Sequence, residues 1–325
     1  MGNPCRFWCR QAVPGNLGLV SDSVSDLKVR IGYGLGTRTA SNNAERFTEL
    51  VDGLETNGFD SLWLSERVGT DCPDPLVAMS FAVGRTRRLK VGTAVMVLPG
   101  RNPVVLAKSL ASLDRLSEGR VLPAFGLGIA DSAEHQAFGV ERRDRGGWFN
   151  EALPLMRRLW TEDEVSHHGK RFRVDDVSIA VKPVQEPFEI WLGGRSELEL
   201  DRVGRHGDGW LPSFCTPDQV ARDRVRIEET AAAHGRAMDP EHYGALIPYR
   251  PDGASIPEVM QALLAKRSPG ADAEQVVPEL QALPEAITAF VNVGFSKFVL
   301  VPVVEPDRWS DELSQVASTV LPLET

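Results

Sequence analysis

Residues 89–126 read LKVGTAVMVLPGRNPVVLAKSLASLDRLSEGRVLPAFG, and this stretch decides the fold. Leu89–Val97 is a near-continuous apolar run, as expected of a strand covered on both faces. Pro103–Leu116 follows with an amphipathic helical period, and Val121–Phe125 is apolar again. Two such strands joined through a helix form a parallel βα unit, because parallel strands need a long crossover between them.

The same rhythm extends in both directions. Upstream, Val29–Tyr33 reads as a strand, followed by a helix capped by Asn42 or Asn43, with Phe47, Leu50, Val51 and Leu54 on one face. Gly58 ends that helix. Asp60–Leu64 is the next strand, and Asp74 caps a helix whose first position is Pro75. Downstream come a helix from about Trp148 to Trp160, a hairpin-like excursion at 168–181, and a strand at Glu189–Leu192. Helix Ser196–His206, strand Gly209–Leu211, helix Pro217–His234 with Thr216 as cap, and strand His242–Tyr249 follow. Helix Pro284–Val293, strand Lys297–Val301 and helix Asp307–Val320 complete the chain. The expected fold is therefore α/β: eight right-handed βα crossovers close into a (β/α)8 TIM barrel with insertions. An open doubly wound sheet is the competing architecture, and no early strand–GxGxxG–helix unit supports it. The expected organisation is a flexible N-terminal arm over 1–26 and a single barrel domain over 27–325, with an insertion around 250–283.

Composition narrows the function. The chain has 325 residues, 42% hydrophobic and 25% charged, with a formal net charge of −9. That balance fits a globular protein and gives no electrostatic footprint for nucleic acid or an anionic membrane. No apolar run approaches the ~18 residues that span a bilayer. Cys5, Cys9, Cys72 and Cys215 lack the spacing of a metal site and read as free thiols in a reducing cytoplasm.

In a barrel, ligands gather at the C-terminal ends of the strands. That rule selects Glu66 and Arg67 after strand two, Gly126–Asp131 after strand four, Gly193, Gly194 and Arg195 after strand five, Ser213 after strand six and Arg250 after strand seven. Gly193-Gly194-Arg195-Ser196 joins a strand to a helix start, where free N–H groups and the helix dipole favour a phosphate. The bland alternative is a tight turn with Ser196 as a plain cap. Ser213 can add a hydroxyl donor. Gly126 and Gly128 make room for a flat ligand or mark a bend in the strand. Glu66 is suited to acid or base work and Arg67 to gripping an anion or carbonyl, unless the two only staple adjacent loops. Glu134 and His135 are open candidates in the strand-four loop. His206 and Asp208 read as a capping pair at the bottom of the barrel.

Several motifs carry a family resemblance. Lys90-Val-Gly-Thr-Ala-Val-Met-Val-Leu-Pro-Gly-Arg-Asn-Pro103, Leu113-Asp-Arg-Leu-Ser-Glu-Gly-Arg120 and Phe125-Gly-Leu-Gly128 resemble the bacterial luciferase-like monooxygenase family. Pro187-Phe-Glu-Ile-Trp-Leu-Gly-Gly194 and Gly207-Asp-Gly-Trp-Leu-Pro212 match it too, in the same order. The resemblance covers about 28–305 and implies a TIM barrel whose cofactor is FMN or the deazaflavin coenzyme F420. It implies a non-prolyl cis peptide at Ala94–Val95 beneath the cofactor ring, with Gly128 nearby and the cofactor phosphate near Gly193, Gly194 and Ser213. The chain also departs from the pattern. Where the family's F420-dependent dehydrogenases end strand two in Asp-His, Glu66-Arg67 stands here. Asp131 falls near the position of their proposed acid. Thr216 replaces a lysine near the phosphate site, which leaves Arg195 to complete the grip.

The resulting expectation is an F420-dependent oxidoreductase in which Glu66 or Asp131 moves the proton and Arg67 polarises a small-molecule substrate. An FMN-dependent monooxygenase using reduced flavin and O2 is the alternative, and a non-catalytic cofactor-binding barrel or subunit is a third. A cytoplasmic homodimer is expected, with a flavin or F420 reductase as partner if the cofactor arrives reduced.

Overall fold

The structure, a computed structural model, describes residues 27–37 and 43–325. The expected arm at 1–26, with Cys5 and Cys9, lies outside the described residues, as does Asn42. Eight strands form the barrel. Arg30–Leu35 and Ser61–Leu64 come first. The third strand is split into Lys90–Thr93 and Met96–Val97, and the fourth into Val121–Leu122 and Ala124–Gly126. Trp191–Leu192, Gly209–Trp210, Gly244–Tyr249 and Lys297–Pro302 complete the ring. Every pairing among these strands is parallel. Single parallel bridges, Trp210 to Tyr243 and Ser213 to Leu246, close strand six against strand seven. The fold is the (β/α)8 barrel expected of eight crossovers.

Local sequence explains the helices. Asn43 Oδ1 accepts from Arg46 N at 2.8 Å to start helix Ala44–Asn57, whose buried face is Phe47, Leu50, Val51 and Leu54. Gly58 ends it at φ 84°, a left-handed conformation that glycine adopts without strain. Asp74 caps Pro75–Arg85 and Asn102 caps Pro103–Leu116, each with proline in the first turn. One boundary differs from expectation. The helix placed at Trp148–Trp160 begins at Arg142 and runs to Thr161. Arg145 in its first turn is buried and donates to Leu127 O at 2.6 Å and Val140 O at 3.3 Å. Tertiary hydrogen bonds therefore hold a first turn that the apolar pattern of the helix does not extend to.

The barrel is filled by two indoles. Trp63 and Trp191 meet edge to face with centroids 6.4 Å apart, surrounded by Ala124, Leu211, Val299 and Val301. Glycines make room for them: a Cβ on Gly209 would fall within 2.6 Å of three Trp191 ring carbons, and one on Gly92 within 2.9 Å of Trp63. Ala94 and Val95 pack on top of this cluster, so the indoles support the floor of the mouth.

Within the expected insertion at 250–283, residues 251–282 contain helices Glu258–Arg267 and Ala273–Val276. They have their own apolar cluster of Ile256, Met260, Leu264, Val276 and Val277. Arg250 at the end of strand seven is buried and anchors this segment rather than facing a ligand. Its Nε donates to Ala254 O at 2.6 Å, and its Nη2 pairs with Glu279 at 3.1 Å and with Glu274.

At the opposite end, Asp208 clamps Arg157 at 2.6 Å and Arg236 at 3.3 Å. His206 lies among these arginines. Burial and the nearby positive charges of Arg205, Arg236 and Arg157 push its pKa down to about 4. The unfolded chain therefore takes up this proton first as pH falls from about 6.5 toward 4, and stability declines over that window. Lowering the pH from 7 to 5 should cost about 1 kcal/mol through this residue, roughly half of what the full shift would give, because the ring is partly exposed and its charge screened. Comparing urea midpoints of the parent and His206→Asn at both pH values tests it: the variant should lose that part of the slope.

Candidate functional site

The mouth of the barrel holds a cavity of about 330 Å³, within the usual range of small-molecule sites. Each of the eight strand ends contributes to it. Gly36 and Thr37 come from strand one; Ser65, Glu66 and Arg67 from strand two; Ala94, Val95 and Val97 from strand three. Strand four gives Gly126–Ile129, strand five Gly193–Arg195, strand six Leu211, Ser213 and Phe214, strand seven Leu246 and Pro248, and strand eight Val301–Val303.

The floor is built from the third strand. The Ala94–Val95 peptide is cis. Ser65 Oγ donates to Ala94 O at 3.0 Å. Val95 then faces Gly126 and Gly193, and a Cβ on Gly126 would collide with Val95 Cγ2. Gly128, at φ 75°, is closed from behind by Arg145, whose Nη1 would lie 2.6 Å from an added Cβ. Gly126 and Gly193 thus make room for the Val95 side chain, and Gly128 for Arg145 and Val97, so the floor is built without further side chains over the barrel core.

Glu66 is almost fully buried beside this floor. Its Oε2 accepts from Val97 N at 2.7 Å, and its Oε1 pairs with Arg101. Arg101 Nε in turn donates to Val97 O at 3.1 Å. Burial pushes the Glu66 carboxyl above its ordinary range, against the opposing pull of Arg101 and the Val97 N–H. The carboxylate thus braces the strand that carries the floor. Arg67 lies on the cavity wall, with Nε 3.4 Å from Glu134 Oε1. Glu134 also accepts from Val68 N at 3.1 Å.

Asp131 does not line the cavity, so the expectation of an acid there is corrected. Its carboxylate caps helix Ser132–Ala137, accepting from Ala133 N at 2.9 Å and Glu134 N at 3.2 Å. Those N–H groups hold its pKa below the ordinary range. Glu134, one turn further on, occupies the cavity edge instead.

At the strand-five turn, Trp210 Nε1 donates to Gly194 O at 3.0 Å, while Gly194 takes φ 101°. The N–H groups that follow are already used. Arg195 N at 3.1 Å, Ser196 N at 2.9 Å and Ser196 Oγ at 2.8 Å all donate to Glu199 Oε2. The Arg195 side chain is turned to Asp223 at 2.8 Å and Gln219 at 3.1 Å. Thr216 Oγ1 caps the next helix through Gln219 N. Glu199 was missed in the sequence, although Ser196-x-x-Glu199 is a capping-box pattern that announces such a contact. Ser213, after the neighbouring strand six, also lines the cavity. No group of three or more His, Cys, Asp or Glu suited to a metal occurs among the described residues.

A closed ring of eight parallel strands with one glycine-floored cavity across all their C-terminal ends defines a (β/α)8 barrel with its small-molecule site at the mouth. The profile of the luciferase-like monooxygenases matches residues 28–281, and the chain belongs to that family. An F420-dependent glucose-6-phosphate dehydrogenase of Intrasporangium calvum is 34% identical over 218 residues, covering 61% of this chain and 64% of the relative. The chain spans about six tenths of the length of the curated relatives it matches first. Among solved structures, an F420-dependent secondary alcohol dehydrogenase with an F420-acetone adduct superposes with TM-score 0.76 at 20% identity, covering 92% of this chain and all of that one. A monooxygenase from Streptomyces bottropensis superposes with TM-score 0.75 at 22% identity, covering 90% and 99%. At these identities the likeness is one of fold.

Proposed function

We propose that the chain is an oxidoreductase that moves a hydride between coenzyme F420 and a small organic substrate held in the same cavity. The observation that carries this reading is the cavity floor of Ala94, Val95, Gly126 and Gly193, where the two glycines add no side chain and a planar ring system can lie. The F420-dependent name of the 34%-identical relative supports the deazaflavin. F420, when bound, supplies a carbon that accepts or gives a hydride; the protein supplies position and proton handling. Val95 and Gly128 flank the ring in this reading, and Gly194 and Ser213 flank the phosphate. Arg67 meets the substrate oxygen, and Glu66 fixes strand three while keeping a carboxyl of raised pKa at the cavity wall.

The phosphate side fits less simply than the ring side. Arg195 N, Ser196 N and Ser196 Oγ point at one place, but the Glu199 carboxylate occupies it. A phosphate entering there meets a like charge, and Glu199 must turn away. Glu199→Gln keeps an oxygen for those donors and removes the charge. It is expected to tighten F420 binding by about five- to tenfold, roughly 1 kcal/mol, with less than 1 kcal/mol lost from stability. Equilibrium titration followed by cofactor fluorescence checks this; unchanged affinity would place the phosphate elsewhere.

The wider reading includes a cytoplasmic homodimer in which residues 27–325 act as one barrel and 250–283 as an insertion, served by a reductase for its cofactor. No described helix is long and apolar enough to cross a membrane. The decisive test is titration of the protein with F420 and, separately, FMN. Micromolar F420 binding with weak FMN binding is the expected result. Tight binding of FMN alone would replace the hydride-transfer reading with a flavin monooxygenase.

A further inference from the structure

The geometry points to a substrate that is uncharged and largely apolar, and not to a sugar phosphate. The inference deepens the hydride-transfer reading and rests on it for the reaction; the binding preference rests on the cavity wall itself. The wall made by strands six to eight and residues 251–282 presents Phe214, Leu246, Met260, Leu263, Val301 and Val303. Pro248 and Pro302 stand between them, and proline has no N–H to offer. Apart from the Ser213 hydroxyl and Arg267 at the rim, the side chains on this face are apolar.

The charges on the remaining wall are already matched. Glu66 pairs with Arg101, Glu134 with Arg67, and Arg195 with Asp223. Glu199 is held by the turn above its own helix. Arg267, the remaining lining cation, is exposed at the rim, at the end of helix Glu258–Arg267. A sugar phosphate would bring a dianion and several hydroxyls. Its hydroxyls would lie largely against apolar side chains, and its phosphate would have to break an existing pair or stay at the exposed rim beside Arg267. A ketone, enone or aromatic carbonyl asks for one donor, which the Nη groups of Arg67 provide while its Nε stays with Glu134, and buries the rest of its surface against the apolar wall.

The wall is held in this position by the fold. Ser268 Oγ donates to Phe214 O, tying the end of the insertion helix to the loop after strand six. Phe214 itself takes φ 53°, in the left-handed region that a bulky residue rarely adopts. Leu263 is half-buried and projects from the insertion helix, whereas Leu246 belongs to strand seven. The two approach the cavity from separate elements and so provide independent tests.

The experiment is calorimetric titration of the full chain, without cofactor, using acetophenone, 2-cyclohexen-1-one and glucose 6-phosphate. The first two are expected to bind at least tenfold tighter than the third. Leu263→Glu and Leu246→Asn should each weaken acetophenone at least tenfold, while Leu263→Met stays within threefold of the parent. Thermal melting of each variant separates lost binding from lost folding, and Leu246→Asn serves if Leu263→Glu does not fold. Tighter binding of glucose 6-phosphate, or acetophenone affinity unmoved within twofold in both folded variants, overturns the inference. Failure of F420 to bind would remove the hydride-transfer reading and leave this preference standing.

Discussion

Gly209→Ala should unfold about 3 kcal/mol more easily than the parent, although it adds a single methyl group. The added Cβ would lie within 2.6 Å of three Trp191 ring carbons. The ring has no free direction to move. It is 4% exposed, packs edge to face on Trp63, and has His242 at 5.6 Å on another side. Gly209 and Trp191 are also partners in the parallel ladder, so shifting one backbone shifts the other. Forcing a methylene into such a site costs about 1–3 kcal/mol, and a collision with three ring atoms belongs at the upper end. Gly84→Ala provides the opposite sign. Gly84 is exposed in helix Pro75–Arg85 with nothing near an added Cβ, and alanine there should stabilise by up to about 1 kcal/mol. Urea unfolding of both variants measures the contrast. Equal midpoints would mean that the indole core is not packed as described.

Arg250→Ala is expected to loosen residues 251–282 by about 2–3 kcal/mol while leaving the barrel strands protected. The guanidinium satisfies Ala254 O and Val277 O and meets Glu274 and Glu279. Removing it leaves two carbonyls without their donor, each worth about 1–3 kcal/mol if water does not reach it. The two glutamates are partly exposed and rehydrate, so they add little. Backbone bonds remain, Arg250 N to Pro278 O and Leu280 N to Arg250 O, and these limit the damage to local opening. Hydrogen exchange read peptide by peptide should show the rise confined to 251–282. A uniform rise over strands such as Arg30–Leu35 would show instead that the segment and the barrel unfold together.

Much of the barrel was legible because its signals are local. Asn43, Asp74 and Thr216 announce helix starts through side-chain oxygens that reach backbone N–H groups two or three residues away. Gly58 takes the positive φ that its place at the end of the first helix suggested. The strand-end rule reached much of the cavity: Glu66, Arg67, Gly128, Gly193, Gly194, Arg195 and Ser213 line it, and the family resemblance added Ala94 and Val95. What stayed hidden depends on approach between distant segments. Glu66 looks like a free carboxylate until Arg101, 35 residues later, folds back on it. Arg195 looks like a phosphate ligand until Asp223 claims it. Asp131 looks like an acid at the mouth, but a cap two residues long in sequence turns it away from the cavity. Met260 and Leu263 could not be placed at all, because the helical pattern around Glu258–Lys266 does not say which barrel loop it will cover.

The separate apolar cluster of residues 251–282 has a consequence for how this chain can change over generations. Ile256, Met260, Leu264, Val276 and Val277 support one another, apart from the cluster that holds the eight strands and their helices. Substitutions in this segment therefore draw on a small, local reserve of stability and leave that of the barrel intact. Met260, Leu263 and Arg267 of this segment also line the cavity. Selection can alter what the mouth admits by editing some thirty positions, while the floor that would hold a cofactor is inherited unchanged.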